Sequence, residues 1–281
     1  MILLADGGST KTDWCLVEGG NQVARTLTRG SSPIFHPIEA LQAEWKETVI
    51  PFSAGCRIEA IHFYGAGCFS EEMKNSMRTA LSNCWPEVVA IKVESDLLGA
   101  ARGLCGNEAG IACILGTGSN SCTYDGQNIC SHIPPLGYIL GDEGSGAMLG
   151  KLLIGACLRD QLTPELKERF FEYCGLTPEA LLYKVYHDPS PNRFLSSFSP
   201  FLLDNLTFDN ISTLIHHAFS EFLLKNVYRY DYTHLPIHFT GSIAFHYREV
   251  LREAASGLHI SIASINLSPM EGLIRYHSSL R

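Results

Sequence analysis

Two stretches of this chain follow one plan, and that duplication restricts the fold more than any other feature. In the first, Ile2 to Ala5 form a short apolar run suited to a buried strand, and Asp6 closes it. Gly7-Gly8-Ser9-Thr10-Lys11-Thr12 follows, then a strand pattern from Trp14 to Glu18, a Gly19-Gly20 turn, and a third strand from Gln22 to Arg29. In the second, Gly110 to Leu115 read as a buried strand and Gly116-Thr117-Gly118-Ser119-Asn120 as the tip. Ser121 to Tyr124, an Asp125-Gly126 turn and Gln127 to His132 complete it. Glycines let backbone N–H groups crowd an anion, and hydroxyls add donors. Asp6 is placed to hold a hydrated cation that neutralises the same anion. One such tip reads equally well as a polar hairpin turn. Two in equivalent places favour a polyphosphate gripped between two halves of the chain.

Gly8-Ser9-Thr10-Lys11-Thr12 looks like a P-loop tail, but that motif needs Gly directly before Lys and a helix directly after. Here Thr10 precedes Lys11 and a strand pattern follows, so a Walker loop is excluded.

After each unit the pattern turns to helices and strands in alternation. In the first half, helical spacing over Pro37 to Val49 precedes a strand at Ile58 to Tyr64. A helix capped by Ser70 shows Met73, Met77, Ala80 and Leu81 on its apolar face. A strand at Val88 to Val93 and a small-residue helix from Leu97 to Leu104 follow. In the second half a helical insertion comes first, with helices opening at Thr163-Pro164 and Thr177-Pro178. One long helix is predicted over Asp209 to Tyr230, with Ile211, Leu214, Ile215, Ala218, Phe222 and Leu223 toward the core. Then come a strand at Pro236 to Thr240, the Gly241-Ser242 turn, a helix from Ile243 to Ala255 and a last strand at Leu258 to Ala263. Ser268-Pro269 opens a closing helix. The expected fold is α/β, with two related domains, each built on a hairpin-first mixed sheet. The expected division is 1–106 plus the C-terminal helix 268–281, and 107–267 with its helical insertion.

A chain of 281 residues with 46% hydrophobic content can build two real cores. Its net charge of -8 and lack of any Lys/Arg run argue against nucleic-acid and anionic-membrane binding. The N-terminal apolar run stops at Asp6, too short for a signal peptide, and no stretch is long enough for a bilayer. The 10 cysteines include no C-x-x-C pair and fall mostly in apolar patterns, as Cys15, Cys113 and Cys157 do. They read as reduced core residues of a cytoplasmic protein. His36, His62 and His216-His217 read as surface or packed histidines rather than metal ligands.

Four motifs in order carry a family resemblance: Asp6-Gly-Gly-Ser-Thr-Lys-Thr-Asp13, Leu115-Gly-Thr-Gly-Ser-Asn120, Gly141-Asp-Glu-Gly-Ser-Gly146 and Phe239-Thr-Gly-Ser-Ile-Ala244. Together they resemble the sugar kinase, heat-shock ATPase and actin (ASKHA) superfamily. More closely, the chain resembles the BadF/BadG/BcrA/BcrD-type ATPases, in the branch that holds the N-acetylglucosamine kinases. The resemblance implies two RNase H-like (actin-like ATPase) domains with a nucleotide cleft between them, the final helix from Pro269 to Leu280 packing on the first. It implies ATP and Mg2+ as cofactors, a small-molecule sugar as partner, and it allows a homodimer. Gly8, Ser9, Thr10 and Lys11 match the first phosphate motif, and Asp6 the residue beside the magnesium. Gly116, Thr117, Gly118, Ser119 and Asn120 match the second, and Gly241 and Ser242 the adenosine motif. Asp96 matches the catalytic aspartate. Ser32, Gly137 and Asp142, with Asp96, fall at substrate-contacting positions.

The residues themselves agree in part. Asp96 stands at the end of a strand and the start of a helix, where a carboxylate can accept a hydroxyl proton or cap the helix; the two roles are compatible. Asp142 and Glu143 can be read as first-turn acids on a helix dipole, but the flanking Gly141 and Gly144 favour ligand contact for Asp142. In the N-acetylglucosamine kinases an Asn touches the sugar where this chain has Ser32, and Phe35 is the one candidate for the aromatic that reads the acyl group. The leading expectation is an ATP-dependent amino-sugar kinase, N-acetylglucosamine or a relative being the acceptor and Asp96 the general base. Two alternatives stand beside it. One is an energy-coupling ATPase like the activators of 2-hydroxyacyl-CoA dehydratases, for which Cys68 and Cys105 near loops would matter. The other is a non-catalytic nucleotide or sugar sensor, for which the chain shows no spare output domain.

Overall fold

The computed structural model describes residues 1–34 and 36–279, so Phe35 and Leu280 lie outside the described residues. The first sheet holds β1 (Ile2–Gly7), β2 (Lys11–Glu18), β3 (Asn21–Arg29), β4 (Ala60–Gly65) and β5 (Ala90–Ser95), in the order β3-β2-β1-β4-β5. β1–β2 and β2–β3 are antiparallel, while β1–β4 and β4–β5 are parallel. The second sheet holds β6 (Gly110–Leu115), β7 (Ser119–Tyr124), β8 (Ile129–Ile133), β9 (Ile237–Thr240) and β10 (Ile262–Asn266), in the order β10-β9-β6-β7-β8. Read from its other edge this is the first order again, so the duplication expected from sequence is present strand for strand. By compactness the chain divides into two units. One comprises Met1–Ala112, Tyr124–Cys130 and the segment from Ser268; the other comprises Cys113–Thr123 and Ser131–Leu267.

In the first unit β1 is a continuous apolar run because both faces of the sheet are covered. On one face Leu3, Ala5, Trp14 and Phe63 pack with Trp45, Trp85, Met77 and Leu81. Trp14 is the hub, with ring centroids 5.7 Å from Trp45, 5.8 Å from Phe63 and 6.1 Å from Trp85. On the other face Ile2, Leu4, Cys15 and Val17 meet Met270, Leu273 and Ile274 of the closing helix, Met270–Ser279. That helix also lies against the helix Asp96–Cys105 so closely that a Cβ on Gly272 would stand 1.6 Å from the Gly103 carbonyl oxygen. Beneath it, the Tyr64 hydroxyl lies 2.9 Å from His277 Nε2, and Arg102 Nη1 donates to the same hydroxyl at 3.2 Å.

Local signals located most helices. Ser70, Thr163 and Thr177 each accept the expected capping N–H, from Met73, Leu166 and Ala180. Three predicted elements differ. The long helix ends at Lys225, not Tyr230, where Asn226 caps it by turning its side-chain amide back on the Phe222 carbonyl at 3.2 Å. It also buries Phe219, which was not among the expected core residues, and leaves Leu214 half-buried. The predicted helix Ile243 to Ala255 is two, Ser242–His246 and Arg248–Gly257, broken where buried Tyr247 anchors its hydroxyl on the Ser199 carbonyl. The last strand begins at Ile262 and not Leu258, since the preceding helix runs to Gly257 and His259 takes a left-handed turn, φ 58°.

Two outcomes follow. Gly272→Ala forces the closing helix off Gly103 and should cost about 1–3 kcal/mol of stability in urea denaturation; an unchanged midpoint would contradict the packing. Burial, then His62, Arg102 and Lys92, hold the His277 pKa down at about 3 from an ordinary 6.5. The unfolded chain therefore takes up a proton that the folded one refuses, so this contribution to stability is lost as pH falls below 6.5. His277→Phe should flatten the fall of Tm with acid, whereas parallel Tm–pH curves would contradict it.

Candidate functional site

In the first unit the β1–β2 hairpin brings the predicted tip together. The ladder continues through Asp6↔Asp13 and Gly7↔Thr12, so the tip is tighter than the sequence suggested and turns at Ser9 and Thr10. Gly8 N–H donates to the Lys11 carbonyl at 2.9 Å, and Gly30 N–H to the Thr10 carbonyl at 2.9 Å. A Cβ on Gly30 would sit 2.2 Å from the Ser9 carbonyl oxygen, so only glycine lets the end of β3 brace the tip from behind. Thr10 and Lys11 are exposed, and Gly8 and Ser9 half-exposed.

Asp6 stands directly across the ladder from Asp13. Asp13 is buried and carries a bidentate ion pair from Arg25, Nε lying 2.8 Å from Oδ1. Burial, then Asp13 and Asp96, push the Asp6 carboxyl up to about 7, with Lys11 and Arg25 pulling the other way. A carboxylate so short of positive charge fits a divalent cation. Among the described residues no cluster of three or more His, Cys, Asp or Glu could hold a metal alone. A lone carboxylate such as Asp6 fits Mg2+, which takes one or two carboxylates and fills its shell with phosphate oxygens and water.

Asp96 is the first residue of its helix, and Ser95 is the cap, its Oγ accepting the Leu98 N–H at 3.3 Å. The alternative role for Asp96 thus falls to its neighbour. The Asp96 carboxylate accepts the adjacent Leu97 N–H at 2.9 Å and its own backbone N–H, and burial lifts its pKa to about 6. That is basic enough to take a hydroxyl proton in a transition state and still ionised at neutral pH. Ser32 is fully buried, and its Oγ has no partner among the described residues. Ser31 beside it was not singled out from sequence, yet it accepts from Thr12 Oγ1 at 2.8 Å and Trp45 Nε1 at 3.3 Å.

In the second unit the matching tip is tied down more heavily. Gly116 N–H donates to the Gly118 carbonyl at 2.9 Å. The first N–H groups of the helix Gly146–Leu158 donate back to it, Gly146 to Gly116 at 2.8 Å and Ala147 to Thr117 at 3.1 Å. Gly241, at φ 111°, closes against the same place: a Cβ there would meet the Leu115 carbonyl oxygen at 2.3 Å. The tip and the Gly241-Ser242 turn are therefore one surface. Ser119 and Asn120 belong to β7 rather than to the tip itself. Asp142 lies four residues before that helix, outside its first turn, which removes the dipole reading. It is buried, sits at φ 55°, accepts the Ser119 N–H, and would press its Oδ2 within 3.0 Å of a Cβ on Gly118. Burial lifts its pKa to about 6. Gly137, at φ 74°, opens the short helix Gly137–Leu140, and the loop returns through Asp142 N–H to the Pro135 carbonyl at 3.0 Å. Thr240, just before Gly241, holds a buried hydroxyl with no partner.

Cys68 is buried and Cys105 half-buried, and burial pushes each thiol up to about 12. No helix of the described residues is long and apolar enough to cross a membrane.

No family model matches the chain. Among curated proteins, the N-acetyl-D-glucosamine kinase of Dictyostelium discoideum is 25% identical over 234 residues, 75% of this chain and 72% of that protein. A ROK family glucokinase from Streptomyces griseus, solved with glucose and AMPPNP, shares the fold with a TM-score of 0.60 at 15% identity, over 99% of this chain and 98% of that one. A Chromobacterium violaceum structure, provisionally assigned as an N-acetylglucosamine kinase, shares it with a TM-score of 0.74 at 18% identity, over 98% and 99%. A Porphyromonas gingivalis structure with the same provisional assignment is 46% identical and superposes with a TM-score of 0.96, over 99% of each chain. At that identity and coverage the chain belongs to the same family as the Porphyromonas gingivalis protein, the N-acetylglucosamine kinase-like sugar kinases.

Proposed function

We propose that this protein transfers the γ-phosphate of ATP to a hydroxyl of an amino sugar, N-acetylglucosamine in the first instance, and that it falls in the BadF/BadG/BcrA/BcrD-type branch. The observation that carries the reading is the 46% identity across 99% of the Porphyromonas gingivalis protein. The site residues support it from a separate direction. Phosphoryl transfer asks the protein for positioning and charge neutralisation more than for covalent chemistry. Ser9, Thr10 and Lys11 supply one set of donors to phosphate oxygens around the turn that Gly8 closes, and Thr117, Gly118, Ser119 and Asn120 the other around the turn that Gly116 closes. The flat backbone at Gly241-Ser242 takes the nucleoside. Asp6 would hold Mg2+, which supplies positive charge to the phosphates when bound.

Asp96 accepts the proton of the acceptor hydroxyl as that oxygen attacks phosphorus. Its carboxylate is kept for this task because Ser95 already satisfies the helix end. Gly137 and Asp142 hold the sugar, and Asp142 also fixes the second tip through Ser119. Ser32 serves as a sugar contact only where its buried hydroxyl is uncovered.

Asp96→Asn should keep nucleotide affinity and lose about 10²–10⁴-fold in sugar-dependent ADP release. Isothermal titration with AMPPNP and a coupled ADP assay measure the two separately. Turnover near that of the unaltered chain would remove Asp96 from its role.

A further inference from the structure

Asn120 directly follows the second tip, and its side-chain oxygen is doubly occupied. The Ser121 backbone N–H lies 2.9 Å from Asn120 Oδ1, and His132 Nε2, from the neighbouring strand β8, lies 2.9 Å from the same atom. A backbone N–H can only donate, so the atom facing it is the amide oxygen and not the nitrogen. The His132 nitrogen at that oxygen must then donate as well, which fixes the ring in its Nε2–H tautomer. Both lone pairs of the amide oxygen are taken by groups of the β7–β8 hairpin, the His132 bond lying at its exposed side. The two N–H donors are left over, on a half-exposed residue at the mouth of the tip.

We propose that His132 is a positioning residue: it locks the Asn120 amide with its NH2 group outward, as a fixed donor to an oxygen of the substrates. The inference rests on the nucleotide reading of the tip at residues 116–120. The acceptor is either a terminal phosphate oxygen or a sugar hydroxyl, two sources of one chemistry that the kinetics separate. Without His132 the amide is held by one hydrogen bond and can turn over, trading a donor for an acceptor that repels phosphate. No local sequence signal marks His132, because its partner lies across the β7–β8 hairpin.

The test compares His132→Ala, His132→Gln, Asn120→Ala and the double variant His132→Ala/Asn120→Ala. KM for ATP and for N-acetylglucosamine, kcat, and AMPPNP affinity by calorimetry are measured on each, with Tm as a folding check. His132→Ala should weaken one substrate about fivefold to tenfold with kcat within about twofold, the loss of about one hydrogen bond's worth of binding. A rise in KM for ATP with weaker AMPPNP binding assigns the acceptor to phosphate; a rise in KM for the sugar alone assigns it to the sugar. His132→Gln, whose amide N–H can reach the same oxygen, should recover most of the loss. In the Asn120→Ala background, His132→Ala should add nothing. Unchanged KM values in His132→Ala, failure of Gln to recover them, or additive losses in the double variant would each overturn the proposal. A wild-type chain that binds AMPPNP without phosphorylating any sugar would instead overturn the kinase reading, and the calorimetric comparison would still decide the role of His132.

Discussion

The architecture depends on two places where backbone meets backbone with no room for a side chain. Behind the first tip, Gly30 backs onto the Ser9 carbonyl; behind the second, Gly241 backs onto Leu115. In both, a Cβ would come within 2.3 Å of a carbonyl oxygen. Such contacts brace each glycine-rich turn from behind and hold its backbone in one conformation. Donors held in place before the ligand arrives do not spend binding energy on ordering themselves, and that fixed polarity is what stabilises charge during phosphoryl transfer. The rest of each unit serves this purpose. The tryptophan cluster around Trp14 keeps β1 and β2 from sliding, and the helix Gly146–Leu158 pins the second tip by its first N–H groups.

Charge is distributed to match. In the first unit Asp13 and Asp96 add to burial in raising Asp6, while Asp13 itself is paired with Arg25. The arrangement leaves Asp6 and Asp96 as carboxylates raised toward neutrality, one suited to a divalent cation and the other to a proton. In the second unit Asp142 is spent partly on structure, since the Ser119 N–H that it holds opens strand β7.

Much of this was legible because the informative signals are local. A glycine-hydroxyl run between apolar strands, a Thr-Pro helix start and a repeated strand order need no knowledge of tertiary contacts, and each was found where expected. What escaped was tertiary in origin. Tyr247 breaks a helix because its hydroxyl reaches Ser199, far away in sequence. Leu258 to Ala263 carries a strand-like pattern, but the first residues finish a helix cap and only Ile262 onward joins the sheet. The Asp142 carboxylate and the His132–Asn120 pair depend on loops and strands folding back, so spacing along the chain could not reveal what each one touches. Ser31 shows the same limit: sequence pointed at Ser32, while packing gave the hydrogen bonds to its neighbour.

The central claim is that a sugar hydroxyl, and not water, receives the phosphate. Phosphorus-31 NMR of the protein with ATP, Mg2+ and N-acetylglucosamine tests it most directly. The account predicts a new phosphomonoester resonance growing in step with ADP and absent when the sugar is withheld. ADP accompanied by inorganic phosphate at the same rate with or without sugar would contradict it.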